Sequence, residues 1–356
     1  MRKLNGPGMA SMLPDRRRRT VALGLLAAAV ALPVLARTRL LTDSAGRQVS
    51  VPDRIARVFP AGPPAAIWLY TLAPQTLLGW PRANRAEELE FLLPGVGDRP
   101  ELGRLTGRGN TANLETVLAL KPDLIVDTGS VRNTFIELAD RVQSQTGIPY
   151  ALVDGRLEAV PAGYRLLGEL LGVQARADEL ARYAAATLDT VKERVARVPR
   201  SAHPRVFYAR GPLGLETGLS GSINVEMFSA MGVGLVTDGA QGGLATVAME
   251  QVLAWDPEVI ITIDQSFAAG VASMPLWRGV SAVRQGRVHL SPKLPFGWVD
   301  FPPSVNRIPG LWWLGSKLFP DRFPEDMADV ARDFYRRFYQ VDLSSSQLQR
   351  LLAGRS

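Results

Sequence analysis

Two stretches of the sequence, NLETVLALKPDLI at 113–125 and AMEQVLAWDPEVI at 248–260, decide the fold. They lie 135 positions apart throughout, and Glu, Val, Leu, Ala and Pro recur at matching places. In each stretch an acidic residue stands near the start of a short helical pattern, where the helix dipole favours it. A proline then ends the helix, and apolar residues typical of a buried strand follow. The repeat predicts two similar α/β lobes, and duplication explains it better than chance.

The rest of the chain alternates short apolar runs with helical patterns. A β-hairpin is predicted at 41–52, with Ala45-Gly46 near its turn. Seven further strands are predicted at Arg57–Phe59, Thr76–Gly79, Leu124–Val126, Tyr150–Val153, Arg205–Tyr208, Val259–Ile263 and Val288–Leu290. Since amphipathic segments separate most of these runs, we expect parallel sheets with helical crossovers.

A long helical pattern at 162–198 interrupts this alternation between the two halves of the chain. A helix of about 20 residues reaches roughly 30 Å, which is enough to connect two lobes. Two shorter helices broken near Gly172 are the alternative. The predicted fold class is therefore α/β: two Rossmann-like lobes with parallel sheets joined by one long backbone helix, with a ligand cleft between the lobes. The expected boundaries are 37–160 for the N-terminal lobe, 161–199 for the backbone helix, 200–342 for the C-terminal lobe and 343–356 for a tail.

Residues 1–36 are predicted to be a cleavable signal peptide. Four consecutive arginines, at 16–19, precede a short apolar run from Val21 to Leu32, and Val-Leu-Ala closes the segment at Ala36. The run is too short to cross a bilayer core of roughly 30 Å as a helix. Because paired arginines also suit the twin-arginine route, two export routes fit this leader. We expect a periplasmic protein.

Composition excludes several classes of protein. The net charge of +7 arises mostly in the leader: six of the 41 basic residues and one of the 34 acidic residues lie there. The remaining near balance argues against a nucleic-acid partner, which would need a basic face on the folded part. With no cysteine, the chain cannot form a disulfide or a thiolate metal site, and two histidines cannot build a histidine-rich one. No cofactor is expected.

In their order and spacing the motifs resemble the helical-backbone class of periplasmic binding proteins, whose members serve ferric siderophores, haem, cobalamin and some metal complexes. The resemblance covers about residues 40–340. It rests on the hairpin ending in Val51-Pro52, the two repeat stretches, the long helix, and PLW at 275–277 leading into AVRQGRV at 282–288. It implies a solute-binding protein, not an enzyme, that delivers a metal complex, first of all a ferric siderophore, to an ABC transporter.

The resemblance also implies how the chain meets the transporter. In that family one Glu of each lobe docks onto arginines of the membrane permease, and the matching residues here are Glu115 and Glu250. Two carboxylates placed symmetrically suit a partner with two-fold symmetry, which the permease dimer has. We expect a monomer, because the cleft and both docking acids must stay free.

Candidate ligand-binding residues follow from the rule that ligands of open parallel sheets sit outside the carboxyl ends of the strands. A ferric siderophore is bulky, oxygen-rich and often anionic, so it calls for arginines that fork onto oxygens and aromatic walls that bury its organic part. The loops nominated by the rule supply Arg85, Arg132 and Arg210 as donors and Tyr208 and Trp298 as walls.

Other ligands and another class of function stay open. Molybdate or tungstate would use backbone N–H groups and hydroxyls such as those of Thr128, Ser130 or Ser222. Haem or cobalamin would keep the same fold. Direct metal ligation is not expected, since His203 and His289 lie away from the nominated loops. An exported hydrolase is the main alternative, although no Gly-x-Ser-x-Gly elbow occurs and neither histidine has the setting of a catalytic base.

Overall fold

An antiparallel hairpin begins the part of the chain that the computed structural model describes, which is residues 37–107, 109 and 111–354. The predicted signal peptide lies outside this part. Strands β1 (Thr38–Thr42) and β2 (Gln48–Pro52) form the hairpin, as expected. Its turn is held by the Asp43 carboxylate, which accepts hydrogen bonds from the backbone N–H groups of Ala45 and Arg47, each at 3.0 Å.

The N-terminal lobe is built around a three-stranded parallel sheet in the order β3-β4-β5. Its elements are β3 (Val58–Pro60), α1 (Pro63–Leu72), α2 (Ala86–Leu89), α3 (Leu114–Leu120), β4 (Leu124–Gly129), α4 (Asn133–Thr146) and β5 (Tyr150–Asp154). The predicted strand at 76–79 is wrong as an independent strand. A short 3₁₀ turn at Pro74–Thr76 takes up its start, and a single bridge joins Leu77 to Val58.

The segment between the lobes consists of two helices, α5 (Val160–Leu171) and α6 (Gln174–Ala196), and not of one continuous backbone helix. Gly172 ends α5 in the left-handed conformation, at φ +69°, which favours glycine and stops the helix. The two helices lie so close that a Cβ on Gly168 would stand 2.3 Å from the Cβ of Ala177. Helix α6 alone, at 23 residues, spans about 34 Å.

The C-terminal lobe repeats the plan with the parallel sheet order β10-β9-β6. Its elements are β6 (Val206–Ala209), β7 (Glu216–Gly218), α7 (Glu226–Ala230), β8 (Leu244–Thr246), α8 (Met249–Trp255), β9 (Val259–Thr262), α9 (Gln265–Gly270), α10 (Ser281–Arg284) and β10 (Val288–Leu290). Strands β7 and β8 pair antiparallel as a small separate sheet. Three helices follow: α11 (Arg307–Leu318), α12 (Met327–Phe334) and α13 (Ser345–Leu352), the last within the predicted tail.

The repeat seen in the sequence recurs in the structure. Helices α3 and α8 have the same length and begin at matching positions, and β4 and β9 begin at the matching residues Leu124 and Val259. Both helices end on a residue in the left-handed conformation, Lys121 at φ 47° and Asp256 at φ 39°. The sequence repeat therefore corresponds to one helix–strand unit in each lobe.

One apolar core crosses from lobe to lobe. It includes Trp68 and Tyr164 on the N-terminal side and Tyr208 and Trp298 on the C-terminal side. Two smaller clusters, which include Phe59 and Phe207 respectively, cover the other face of each sheet. Each sheet is thus buried on both faces, as parallel sheets require. Among the described residues, no helix is long and apolar enough to cross a membrane.

Candidate functional site

The loops at the carboxyl ends of the two sheets approach each other, and hydrogen bonds from one ion pair of the C-terminal lobe join them. Arg307 on α11 is fully buried, and its Nη1 lies 2.9 Å from Oε2 of Glu226 on α7. Its Nη2 donates to the carbonyl of Gly155, just after β5, at 2.5 Å. The backbone N–H of Leu157 donates to the same Glu226 oxygen at 2.8 Å. We call Arg307, Glu226, Gly155 and Leu157 the interlobe tie, because it bonds the two lobes together.

Aromatic side chains extend this connection. The rings of Trp80 in the N-terminal lobe and Phe296 in the C-terminal part lie 5.6 Å apart, and both side chains are buried. Tyr70 on α1 donates a hydrogen bond from its hydroxyl to the carbonyl of Tyr339 at 3.0 Å. Polar loops that surround these contacts, at the carboxyl ends of the strands, are therefore held at a fixed separation.

On the N-terminal side two arginines surround one carboxylate. Arg82 donates two hydrogen bonds of 2.7 Å to Glu88, and Arg85 donates two more of 3.1 and 3.0 Å. Burial on its own raises the pKa of Glu88, but the hydrogen bonds from the two arginines lower it overall. The side chains of Arg82 and Arg85 remain about half exposed, at 51% and 46%. Arg85 also lies 3.1 Å from Glu87, so the two half-exposed guanidinium groups are paired with two carboxylates.

On the C-terminal side a buried polar cluster follows β6. The hydroxyl of Tyr208 donates to Asp300 at 2.8 Å, and Asn224 donates to the other oxygen of that carboxylate at 2.8 Å. Arg210 lies 3.5 Å from Asp300 and 3.1 Å from Glu216. Burial, and then the charge of Asp300, raises the pKa of Tyr208 well above its usual value. The buried Nη1 and Nε atoms of Arg210 make these two contacts as ion pairs, without the geometry of a hydrogen bond.

The remaining cation of this region is Lys293, which follows β10. Its side chain is half-buried, and its Nζ lies 5.7 Å from the centre of the Phe301 ring. Burial lowers the pKa of Lys293, and the positive charges of Arg85 and Arg82 lower it further. Since Arg85 and Arg82 belong to the N-terminal lobe, charges of both lobes act on Lys293.

The structure brings some of the sequence-predicted donors together and separates others. Arg85 belongs to the cation cluster, and Arg210 to the buried cluster. Arg132 lies at the start of α4, exposed, with its Nε 3.2 Å from the hydroxyl of Ser130. It borders an open depression of about 590 Å³ that Asn133 and Thr134 also line. Among the described residues, Arg132 forms no hydrogen bond or ion pair with Arg85 or Arg210 or with the carboxylates that they contact.

Neither predicted aromatic wall is exposed in this structure. Tyr208 is fully buried beneath Asp300, and Trp298 lies in the interlobe core with its Nε1 3.5 Å from the hydroxyl of Tyr335. The main chain of Trp298 is also covered, since a Cβ on Gly310 would stand 2.0 Å from its carbonyl oxygen. The exposed aromatic ring of this region is that of Phe301, at 59%. The exposed aromatic of this loop is therefore a different residue from the predicted Trp298.

Sequence reasoning missed Lys293 and Phe301. Lys293 could have been predicted from its place three residues after the predicted strand Val288–Leu290. Phe301 had no signal, because its exposure depends on the backbone of the loop. The hydroxyl candidates also differ: Thr128 Oγ1 is buried without a hydrogen-bond partner, whereas Ser222 caps the turn at Asn224.

The two histidines make structural contacts. The Nδ1 atom of His203 lies 2.6 Å from the carbonyl of Gly232, and its ring lies 5.2 Å from that of Phe319. Burial lowers the pKa of His289 on β10 to about 4, with smaller effects from Lys317 and Arg287. Among the described residues, no group of three or more His, Asp or Glu side chains is arranged to hold a metal ion.

The repeat helices present matched exposed side chains. Glu115 and Glu250 both lie in the first turn of their helices and are exposed. One turn later, Leu118 and Leu253 are exposed at 44% and 38%. The chain enters α3 beside the end of β3, where the N–H groups of residues 105 and 106 donate to the carbonyl of Ala61 at 2.7 and 3.0 Å. Because Ala61 follows β3, Glu115 lies toward the carboxyl edge of its sheet, on the side of the ligand loops.

Comparison with known proteins gives consistent results. The family model for a periplasmic binding protein matches residues 94–294. The molybdate-binding protein MolA of Haemophilus influenzae is 25% identical over 338 residues, which cover 85% of this chain and 91% of that protein. A cobalamin-binding protein of Halobacterium salinarum is 28% identical over 195 residues, 51% of this chain and 50% of that protein. A solved ABC transporter solute binding protein from Sulfurospirillum deleyianum is 32% identical with a TM-score of 0.81, and covers 88% of this chain and 99% of its own.

Proposed function

The chain belongs to the periplasmic binding protein family, and from that premise we propose that it captures an oxygen-rich anion that contains a metal, foremost a ferric siderophore, for an ABC transporter. The observation that supports this proposal is the presence of exposed or half-buried cations in loops of both lobes. Arg82 and Arg85 stand on the N-terminal side, where Glu87 and Glu88 pair with them, and Lys293 stands on the C-terminal side beside the exposed ring of Phe301. We infer that these cations bind the oxygens of an anionic ligand.

The size of the site favours a bulky complex. The side chains of Arg82 and Arg85 are about half exposed, and the Phe301 ring is 59% exposed, so the site is open. A small oxyanion is usually enclosed by several N–H and O–H donors, whereas a ferric chelate presents both oxygens and organic surface. Arg85, Arg132 and Arg210 remain our proposed donors to the ligand oxygens. Arg210 is supported by its place directly after β6, at the carboxyl end of that strand.

Molybdate or tungstate is the second candidate. It is favoured by the likeness to MolA, which extends over 85% of the chain. A specific feature of the structure agrees with it: the buried Oγ1 of Thr128, at the carboxyl end of β4, lacks a hydrogen-bond partner. Both candidates share one chemistry, anionic oxygens around a metal centre, and they differ in size and apolar surface.

Titration calorimetry of the purified protein tests the proposal. The panel contains ferric hydroxamate and ferric catecholate siderophores, molybdate, tungstate, sulfate, cobalamin, haem and ferric chloride. We expect saturable binding of a ferric siderophore and no response to sulfate. Binding of molybdate or tungstate alone would replace the siderophore with the second candidate. Binding of cobalamin alone, or of no compound in the panel, would contradict an anionic metal complex as the ligand, and binding of haem alone would contradict the siderophore assignment.

Delivery to the permease is proposed to use the matched surface formed by Glu115, Leu118, Glu250 and Leu253. The two carboxylates suit basic side chains on a two-fold symmetric permease, and the exposed leucines suit apolar contact beside them. Since each helix precedes a strand that runs antiparallel to it, we infer that both acids lie toward the carboxyl edge of their sheets, on the side of the proposed ligand loops. A periplasmic location follows from the family, and we propose export through the predicted leader.

A further inference from the structure

Lys293 is an unusual cation for a loop of this protein. Its side chain is half-buried, yet among the residues that the structure describes no carboxylate lies within ion-pair distance of its ammonium group. The charge of Asp264, which follows β9, acts on Lys293. However, Oδ1 of Asp264 already accepts the N–H of Phe267 at 3.0 Å at the start of α9. Burying a charge without a counterion is costly, so an anionic ligand that paired with this lysine would offset part of that cost.

The backbone of Phe301, whose ring lies beside Lys293, is held by a hydrogen-bonded network around Asp300. Phe301 has φ +68°, a strained conformation for a residue with a bulky side chain. Its N–H donates to Asp300 Oδ1 at 2.7 Å, and Tyr208 and Asn224 fix the same carboxylate. Strained backbone that a buried network maintains is commonly found at ligand-contacting positions. The network thus keeps an apolar ring exposed to solvent directly beneath an ammonium group.

The charges around Lys293 come from both lobes. Arg85 and Arg82 oppose its positive charge, while Asp264 and Glu88 favour it. Glu88 is already shared by the two arginines, and Asp264 caps α9, so neither neutralises Lys293. Arg82 and Arg85 are paired with Glu88 and Glu87, whereas Lys293 has no carboxylate within ion-pair distance among the described residues. An anion bound beside Lys293 would therefore gain most from its ammonium group.

We propose that Lys293 and Phe301 form a ligand anchor, in which the ammonium binds an anionic oxygen and the ring covers the adjoining organic or apolar part of the ligand. This inference rests on the proposed function and names two residues of its binding site. An ammonium group above an aromatic ring is also attracted to the ring face, which keeps the lysine in position before the ligand arrives. The anchor discriminates by chemistry: it favours an anion with an organic portion over a bare oxyanion.

The test compares three lysine variants by titration calorimetry against ferric hydroxamate, ferric catecholate, molybdate and tungstate. We expect Lys293→Met to weaken binding of the ligand that the native protein binds by about tenfold or more, as loss of a charged hydrogen bond does. Lys293→Arg should restore binding to within a few-fold of native. Lys192→Met, which removes the same charge from the exposed face of α6, is the matched control and should bind as the native protein does.

A second measurement separates contact from structure. Because the pKa of Lys293 is lowered, native affinity should fall as the pH rises through the alkaline range, and Lys293→Met should lose that dependence. Phe301→Leu should weaken a ferric siderophore several-fold and leave molybdate unchanged.

Three results would overturn the anchor. If Lys293→Met binds like the native protein, the anchor is wrong while the proposed function stands. If Lys192→Met loses as much affinity as Lys293→Met, the effect is one of net charge. If the native protein binds none of the four anions, both the anchor and the proposed function fail.

Discussion

The two repeat units, α3 with β4 and α8 with β9, have kept one surface and diverged at another. Their helices match in length, exposed acid and exposed leucine, and each carries a left-handed residue at its end. Elsewhere the lobes carry different side chains. The N-terminal lobe has two arginines around Glu88, whereas the C-terminal lobe has Lys293 and Phe301 after β10. A two-fold symmetric partner favours likeness between the halves, whereas an asymmetric ligand does not.

The C-terminal ends of α3 and α8 are also held in the same way. The Arg57 side chain donates to the carbonyls of Lys121 and Leu120 at the end of α3, and Asp123 accepts two N–H groups of the segment before β3. In the other lobe Arg205 donates to the carbonyls of Trp255 and Asp256, and Glu258 accepts the N–H of Arg205. Duplication explains an arginine and an acid that perform the same task in both lobes.

The largest expected effect concerns the matched surface. The double variant Glu115→Lys with Glu250→Lys should reduce uptake of the ligand by whole cells to background, because like charges then meet across the permease contact. Each single variant should retain partial uptake if the halves contribute equally. Calorimetry should show unchanged ligand affinity in all three. Glu137→Lys on the exposed face of α4 is the control, and uptake at the native level by the double variant would refute the docking surface.

Removal of the two arginines that hold the helices is the next largest effect. Arg57→Ala and Arg205→Ala should each lower the free energy of unfolding by about 1–2 kcal/mol, because helix-end carbonyls lose a charged donor. Urea unfolding followed by circular dichroism measures the loss. Arg54→Ala, an exposed arginine nearby, should change stability by less than about 0.5 kcal/mol. A loss confined to one of the two variants would show that the equivalence is only geometric.

The lobes should respond to pH in opposite directions. Burial raises the pKa of Asp127 on β4 to about 6, so the folded protein binds the extra proton and stability falls as pH rises from about 4 to 6. The pKa of His289 on β10 is lowered to about 4, so the unfolded chain binds the extra proton and stability rises over that window. Relative to native, Asp127→Asn should steepen the rise with pH, and His289→Gln should reverse it.

These pH effects should amount to about 1–2 kcal/mol across the window, since each pKa unit corresponds to about 1.4 kcal/mol and partial exposure of His289 reduces its share. Thermal unfolding at pH 4, 5, 6 and 7 measures them as differences from the native curve. The same slope in both variants would contradict the opposition between the lobes.

The smallest effect tests where the repeat units differ. Asn113 caps α3 through its side chain, which accepts the N–H of Thr116 at 2.7 Å, whereas Ala248 at the same place before α8 offers no such group. Asn113→Ala should cost about 1 kcal/mol of stability, and Ala248→Asn should add a similar amount. Urea midpoints for the two variants should move in opposite directions, and equal movement in one direction would exclude capping as the cause.

Sequence reasoning predicted the fold well because the repeat carries local physics. A helix that begins after a cap, ends before a proline and precedes an apolar strand can be located from composition alone, as α3 and α8 show. The break at Gly172 and the loss of the strand at 76–79 depend on turns, whose geometry a single glycine or proline decides. The predictions for those segments were correspondingly less accurate.

The site was less predictable, since exposure in a loop depends on distant parts of the chain. Trp298 follows glycine and proline, which suggests a surface loop, but α11 covers it through the close approach of Gly310. Tyr208 is buried because Asp300, 92 positions later, returns to its hydroxyl. Arg85 required no such return and is exposed, although the strand at 76–79 that nominated its loop is not an independent strand.

The interlobe tie has a consequence for how such proteins can evolve. Glu226 and Arg307 would be exchanged together if recombination replaced one lobe with that of a relative, but the backbone groups of Gly155 and Leu157 that complete their hydrogen bonds would come from the other parent. A hydrogen bond to a charged group is worth about 1.5–3 kcal/mol, a sizeable share of the 5–15 kcal/mol that holds an ordinary domain folded. The fit of this one guanidinium to the opposite lobe therefore favours inheritance of the two lobes together.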